Sequence, residues 1–182
     1  MASSLTPAPI PDDKYHFEDG DCMFLVENME FKVHKVMFSR DPDSMFRTMF
    51  SLPQNSLPPD TIRVSDSLDD FRGLCWILYA MPADISQQST PEADVPKLLR
   101  VVHMAHKYGL GQYEKWALHM LALQCKGSTN FATTCAEPLL ENLLEQAEIC
   151  GAKELHKLVI NQWITRLSQK EFPAARALAL GE

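Results

Sequence analysis

Residues 21–35 read Asp-Cys-Met-Phe-Leu-Val-Glu-Asn-Met-Glu-Phe-Lys-Val-His-Lys, and this stretch decides the fold. The apolar run 22–26 has the length of a strand that is buried on both faces. Glu27 and Asn28 can form a turn. Residues 30–34 then alternate polar and apolar side chains, as a half-buried strand does. The sequence therefore predicts a β-hairpin here.

Short helices are predicted on the C-terminal side of the hairpin. One begins at Lys35, and Ser44 can cap a second that runs to Leu52. A further strand is predicted at 60–64. Ser67 then opens a helix with an apolar stripe that ends before Pro82.

The rest of the chain is predicted as a loop at 82–93 followed by helices. The segment 138–167 repeats the apolar pattern of 96–123, which predicts two helical hairpins of the same design. Gly109 is placed where a left-handed residue would end the first helix of its hairpin, and Gly151 holds the matching position in the second.

Composition argues against several classes of function. Hydrophobic residues make up 46% of the chain, which is enough for a sizeable core. No run of 18 apolar residues occurs, so we expect no membrane span. The net charge is −7 and no basic face is evident, so we expect no nucleic-acid binding.

The cysteines and the N-terminus indicate the compartment. The chain has five cysteines, which is an odd number, and no two of them form a Cys-x-x-Cys motif. The first residues contain neither a basic region nor an apolar segment, so no secretory signal is expected. The simplest interpretation is an intracellular protein with reduced thiols. The sequence does not distinguish the nucleus from the cytoplasm.

Signals for catalysis are weak. His103 and His106 are spaced to lie on one side of a helix, but no third metal ligand accompanies them. Neither a Gly-x-Ser-x-Gly motif nor a phosphate-binding glycine loop occurs. We therefore expect no catalytic residues, no metal and no cofactor. A metal- or thiol-dependent enzyme is left as a remote alternative.

The residues from Asp21 to Pro82 resemble the opening of a BTB/POZ domain, and in particular the stand-alone BTB proteins of fungi. The pieces that match, in order, are Asp21-Cys-Met-Phe-Leu-Val26, Phe31-Lys-Val-His-Lys35, Ser44-Met-Phe-Arg-Thr-Met-Phe50 and Phe71-Arg-Gly-Leu-Cys-Trp-Ile-Leu-Tyr79. The helix pair at 96–123 corresponds to the last two helices of such a domain. One departure is Asp41-Pro-Asp43, where the family usually has a shorter Arg-Ser-Pro-like junction.

The resemblance implies an α+β, mainly helical BTB/POZ fold with a small sheet of short strands and a C-terminal helical hairpin extension. Residues 1–14 are interpreted as a disordered, proline-containing tail, with order beginning near Lys14. Residues 15–126 are assigned to the BTB/POZ domain. Residues 127–182 are assigned to a helical extension packed on it.

The resemblance also implies a scaffold or adaptor that binds other proteins and is not an enzyme. The expected partners are a second copy of the chain, in a homodimer, and an unidentified protein. Methionine suits adaptable contact surfaces, whereas Phe38, Phe46 and Phe50 align with buried positions of the family. The expected dimer contacts are therefore Val36, Met37, Met45 and Met49.

Two further expectations come from the resemblance. Asp21 and Lys35 would line a charged pocket at the dimer groove, although a structural role for both fits equally well. A substrate adaptor of a cullin ubiquitin ligase is the alternative function. It would need a hydrophobic-x-Glu element after the third helix, and residues 80–84 read Ala-Met-Pro-Ala-Asp, without that Glu.

Overall fold

The computed structural model describes residues 8–52, 61–126 and 131–179, with side chains up to Ser168. In this part of the chain the protein is α+β and 62% helical, with nine helices and a four-stranded mixed sheet. The strands are β1 (Ile10–His16), β2 (Cys22–Val26), β3 (Met29–Val33) and β4 (Thr61–Val64). The helices are α1 (Lys35–Ser39), α2 (Met45–Ser51), α3 (Leu68–Tyr79), α4 (Pro82–Gln87), α5 (Val95–Tyr108), α6 (Gly111–Lys126), α7 (Phe131–Thr134), α8 (Glu137–Ile149) and α9 (Lys153–Ala179).

The predicted hairpin is confirmed as β2 and β3, which pair antiparallel. Glu27 adopts a left-handed φ of 53°, which the tight connection between two twisted strands requires. The strand order is β1-β3-β2-β4, and both edge strands run parallel to their neighbours. The hairpin therefore forms the centre of the sheet.

Strand β1 corrects the interpretation of the N-terminus. Residues 10–14 form part of an edge strand and not of a disordered tail. The reason is Asp12, whose buried carboxylate accepts hydrogen bonds from the backbone N–H groups of Lys14 and Tyr15, at 3.0 and 2.9 Å. It also accepts one from Arg72 Nε on α3 at 2.8 Å. Residues 1–7 of the predicted tail lie outside the described residues.

Helix α4 corrects a second expectation, the loop at 82–93. Pro82 occupies the first turn of α4, where its missing N–H costs nothing. Asp84 Oδ2 accepts a hydrogen bond from the Met81 backbone N–H at 2.9 Å and so caps the helix start. Only the residues after Gln87 form the predicted loop.

The described residues divide into two compact units. The first contains the chain up to Ala80 together with His103–Glu114. Its core is aromatic and contains the fully buried residues Phe24, Phe31, Phe38, Phe46 and Phe71. The second contains Met81–Val102 and the chain from Lys115 onwards, with the buried residues Leu98, Leu121, Leu140, Leu143, Leu155 and Val159. The domain boundary after residue 126 stays a prediction. The same holds for the packing of the predicted extension, residues 127–182, on the predicted BTB/POZ domain.

The first helices of the two predicted hairpins, α5 and α8, share a pattern of buried residues and a glycine after the helix. Gly109 and Gly151 follow α5 and α8 with φ of 68° and 62°, which confirms the left-handed residue predicted at Gly109. The apolar positions of the two helices are buried in the same pattern, namely Leu98, Val101 and Ala105 in α5 and Leu140, Leu143 and Ala147 in α8.

These two glycines allow a matched test of backbone packing. A Cβ on Gly109 would lie 2.8 Å from the Asp43 carbonyl oxygen, whereas a Cβ on Gly151 would meet nothing within 4 Å. We expect Gly151→Ala to cost about 1–2 kcal/mol for the left-handed backbone alone. We expect Gly109→Ala to cost about 1–3 kcal/mol more because the carbonyl must move. Urea unfolding of both variants measures the difference between their free energies of unfolding. Equal losses of stability would contradict the close approach of Gly109 to the Asp43 carbonyl oxygen.

Candidate protein-interaction surface

The N-terminus of α1 is capped by Asp21, the residue that precedes β2. Asp21 Oδ1 accepts a hydrogen bond of 2.7 Å from the backbone N–H of Lys35, the first residue of the helix. A carboxylate at this position also stabilises the positive end of the helix dipole. The structure thus brings Asp21 and Lys35 together through a structural contact, and their role in a charged pocket stays a prediction.

His34 joins the end of β3 to α3. The Tyr79 hydroxyl accepts a hydrogen bond from the His34 backbone N–H at 2.9 Å and lies 2.9 Å from His34 Nδ1. His34 Nε2 lies 3.2 Å from Asp19 Oδ1, and the Phe17 ring packs at 5.2 Å from the imidazole. Burial raises the pKa of Tyr79 to about 12, so its hydroxyl keeps the proton that it can donate to Nδ1.

Both ring nitrogens of His34 lie close to side chains, Nδ1 to that of Tyr79 and Nε2 to that of Asp19. Tyr79 is 45 residues away along the chain, so no local pattern could have identified this contact.

Ser44 caps α2, as predicted, and it also fixes the turn between α1 and α2. Its Oγ accepts a hydrogen bond from the Phe46 backbone N–H at 3.2 Å and donates one to the Phe38 carbonyl at 2.7 Å. Asp41 Oδ1 accepts from the Asp43 backbone N–H at 3.1 Å. This network sets the direction in which the two short helices present their side chains.

Both helices direct phenylalanines into the core of the first unit. Phe38 and Phe46 are fully buried and meet edge to face, with ring centroids 5.1 Å apart. Phe24 of β2 contacts both rings, and Tyr108 stacks on Phe46 at 4.4 Å. The predicted core positions Phe38 and Phe46 are confirmed, whereas Phe50 is only half-buried.

The remaining apolar side chains of α1 and α2 are turned away from this core to different degrees. Val36 and Met45 are 67% and 52% exposed, and Met37 and Met49 are half-buried. We call these four residues the α1–α2 surface. Exposed Val and Met side chains leave apolar area in water, and covering such area is favourable at about 25 cal/mol per Å². The arrangement therefore suits contact with another apolar surface.

A cleft that the sequence did not indicate lies beside the turn between β2 and β3. Its volume is about 530 Å³, and it is lined by Leu25, Glu27 and residues 63–67. Its two acids already have structural partners. Glu27 accepts a hydrogen bond from the Leu68 backbone N–H at 3.3 Å, and the buried Asp66 binds the side chains of Lys107 and Tyr108. The cleft thus lacks an uncommitted carboxylate for chemistry.

The histidine pair on α5 is exposed at both positions. His106 Nδ1 lies 3.1 Å from Glu114 Oε2, a partner on α6 that the sequence did not suggest. Glu114 is eight residues further along the chain, on the other side of Gly109. An exposed ion pair of this kind contributes about 0–1 kcal/mol.

A comparison with known protein families finds no match to the chain, and a search of curated proteins finds no relative. Among the helices that the structure describes, none is both long and apolar enough to cross a membrane.

Proposed function

We propose that the chain is a BTB/POZ-type protein-interaction module that forms a homodimer and recruits another protein. The observation that carries this proposal is the α1–α2 surface. Two very short helices are fixed by capping contacts, bury phenylalanines on one side and leave Val36 and Met45 exposed on the other. Apolar side chains on a rigid support are what an interface core needs.

The order of elements also supports the proposal. The β2–β3 hairpin, the short helices α1 and α2, and the helix α3 follow one another in the same order as the sequence pieces that resemble the family. When a surface binds a second copy of itself, the usual arrangement is a two-fold symmetric dimer. Both copies then bury the same residues, and every contact between them occurs twice. The recruited protein would bind elsewhere on the module.

The test is a double substitution on the α1–α2 surface. Met37→Glu with Met45→Glu would place four carboxylates in the dry interface of a dimer, where burying unpaired charge is costly. We expect the dimer dissociation constant to rise on the order of 100-fold or more. Light scattering coupled to size exclusion measures the mass across a dilution series.

Met81→Glu is the matched control, because Met81 is 66% exposed and lies outside the α1–α2 surface. It should leave the dimer intact, and circular dichroism should report an unchanged fold for all variants. A monomeric wild type at tens of micromolar would refute the homodimer. A double variant that stays dimeric and well folded would refute this surface as its interface.

A further inference from the structure

The two edge strands of the sheet differ in their suitability for pairing with a further strand. Strand β1 contains Pro11, which has no backbone N–H to donate, and its register with β3 shifts between Pro11 and His16. Prolines and such irregularities keep an edge from pairing with another chain. Strand β4 reads Thr-Ile-Arg-Val, and its register with β2 is unbroken from Thr61 to Val64. The β4 edge is therefore the one that suits pairing.

The outer side of β4 has no partner strand in the part of the chain that the structure describes. On its inner side β4 pairs with β2, and it stands last in the strand order. Three of its residues are only half-buried, and Arg63 is exposed. A strand in this position presents a row of backbone N–H and C=O groups to which an extended chain can bind.

The cleft beside the β2–β3 turn lies along the same strand. Leu25 and Arg63 are register partners, so their side chains share one face of the sheet, whereas Phe24 points to the other face and into the aromatic core. The cleft, of about 530 Å³, is lined by Leu25, Arg63, Glu27 and residues 64–67. A sheet edge that offers backbone pairing beside a pocket for a side chain is the arrangement by which many proteins bind extended peptides.

The charges of the edge and of the cleft indicate what such a segment carries. Arg63 is exposed, and its guanidinium has no acceptor among the described residues. An acidic side chain directly across from it would form a favourable cross-strand pair. In the cleft, Glu27 and Asp66 already accept hydrogen bonds, so they need no cation and repel a further acid. The cleft therefore suits an uncharged side chain.

We propose that β4 receives an extended segment of a partner protein as an added strand, with an acidic side chain beside Arg63 and an uncharged side chain in the cleft. These two side chains are two positions apart in the segment, because alternate residues of a strand share a face. The proposal rests on the proposed function for the existence of a recruited protein, and it assigns the site at which that protein binds.

The experiment titrates the isotopically labelled full chain with the peptide acetyl-Ser-Thr-Glu-Val-Leu-Val-Thr-Ser-amide, in which Glu and Leu share a face. Backbone NMR signals should change saturably at β4 and at the cleft residues, with a dissociation constant of about 1 mM or lower. Two further peptides carry N-methyl groups on one or the other alternate set of backbone nitrogens. Only the set that faces β4 donates to it, so one of the two should bind about tenfold more weakly or worse.

Charge reversal tests the role of Arg63. Arg63→Glu should weaken binding of the peptide about fivefold, and it should strengthen binding of a version in which Lys replaces the Glu. Lys14→Glu is the matched control, because Lys14 is exposed on the other edge strand, β1. It should leave both affinities unchanged. Circular dichroism reports the fold of each variant, and the N-methylated peptides test the wild type without any variant.

The titration is independent of the homodimer. Met37→Glu with Met45→Glu should bind the peptide as the wild type does, even where light scattering shows a monomer. A dimeric wild type that does not bind the peptide would refute the β4 site and leave the homodimer standing.

Four results would overturn the proposal. One is the absence of saturable changes up to about 10 mM peptide. The second is a set of changes that map away from β4. The third is equal binding of the unmodified peptide and both N-methylated peptides. The fourth is an equal effect of Arg63→Glu and Lys14→Glu on the affinity.

Discussion

Replacing Phe24 with alanine should destabilise the protein by about 3–5 kcal/mol, the range for a fully buried aromatic side chain. Phe24 lies on the central strand β2 and is 0% exposed. Its ring contacts those of Phe38, Phe46, Phe50 and Phe71, with centroids 5.1 to 6.3 Å apart. The substitution would therefore leave a cavity at the point where the sheet, α1, α2 and α3 meet.

Urea unfolding followed by circular dichroism measures this cost. Phe50→Ala is the matched control, because Phe50 belongs to the same cluster but is only half-buried. We expect it to cost less than Phe24→Ala, since less area is removed from the core. A Phe24→Ala variant as stable as the wild type would contradict the aromatic core and, with it, the support of the α1–α2 surface.

The second large effect is expected at Asp12, whose side chain is 1% exposed and paired with Arg72. Asp12→Ala would leave two backbone N–H groups without their acceptor and Arg72 without its carboxylate. Each unsatisfied buried group costs about 1–3 kcal/mol. Because Arg72 is 40% exposed and can turn to water, we expect a total of about 3 kcal/mol.

The neighbouring Asp13 provides the control, since its side chain is exposed. Asp13→Ala removes the same charge from the same strand and should change stability by less than about 0.5 kcal/mol. Urea unfolding compares the two variants, and hydrogen exchange of the β1 amides shows whether the strand detaches. Equal stabilities would mean that the Asp12–Arg72 pair does not hold β1 to α3.

Elements with a local cause could be predicted from the sequence. The hairpin depends on an apolar run, a two-residue turn and an alternating strand, all within 22–33. Ser44 and Ser67 cap helices through backbone groups two or three residues away. Such contacts are visible in one window of sequence because the partner is always near in the chain.

Strand β1 and helix α4 were missed for different physical reasons. Strand β1 is held by Asp12 and Arg72, which are 60 residues apart, so the proline-containing segment looked disordered in isolation. Helix α4 has a local cap from Asp84, but its Ser- and Gln-rich composition is equally common in loops.

For the candidate site, the residue types of α1 and α2 already indicate that these short helices carry more apolar side chains than a small sheet can cover. Which of those side chains face outwards depends on the packing of the whole first unit. Phe38 and Phe46 point inwards because the rings of Phe24, Phe71 and Tyr108 pack against theirs. These three residues belong to distant segments of the chain. Local periodicity fixes which face of a helix is apolar, whereas the burial of each residue depends on what the rest of the chain places against it.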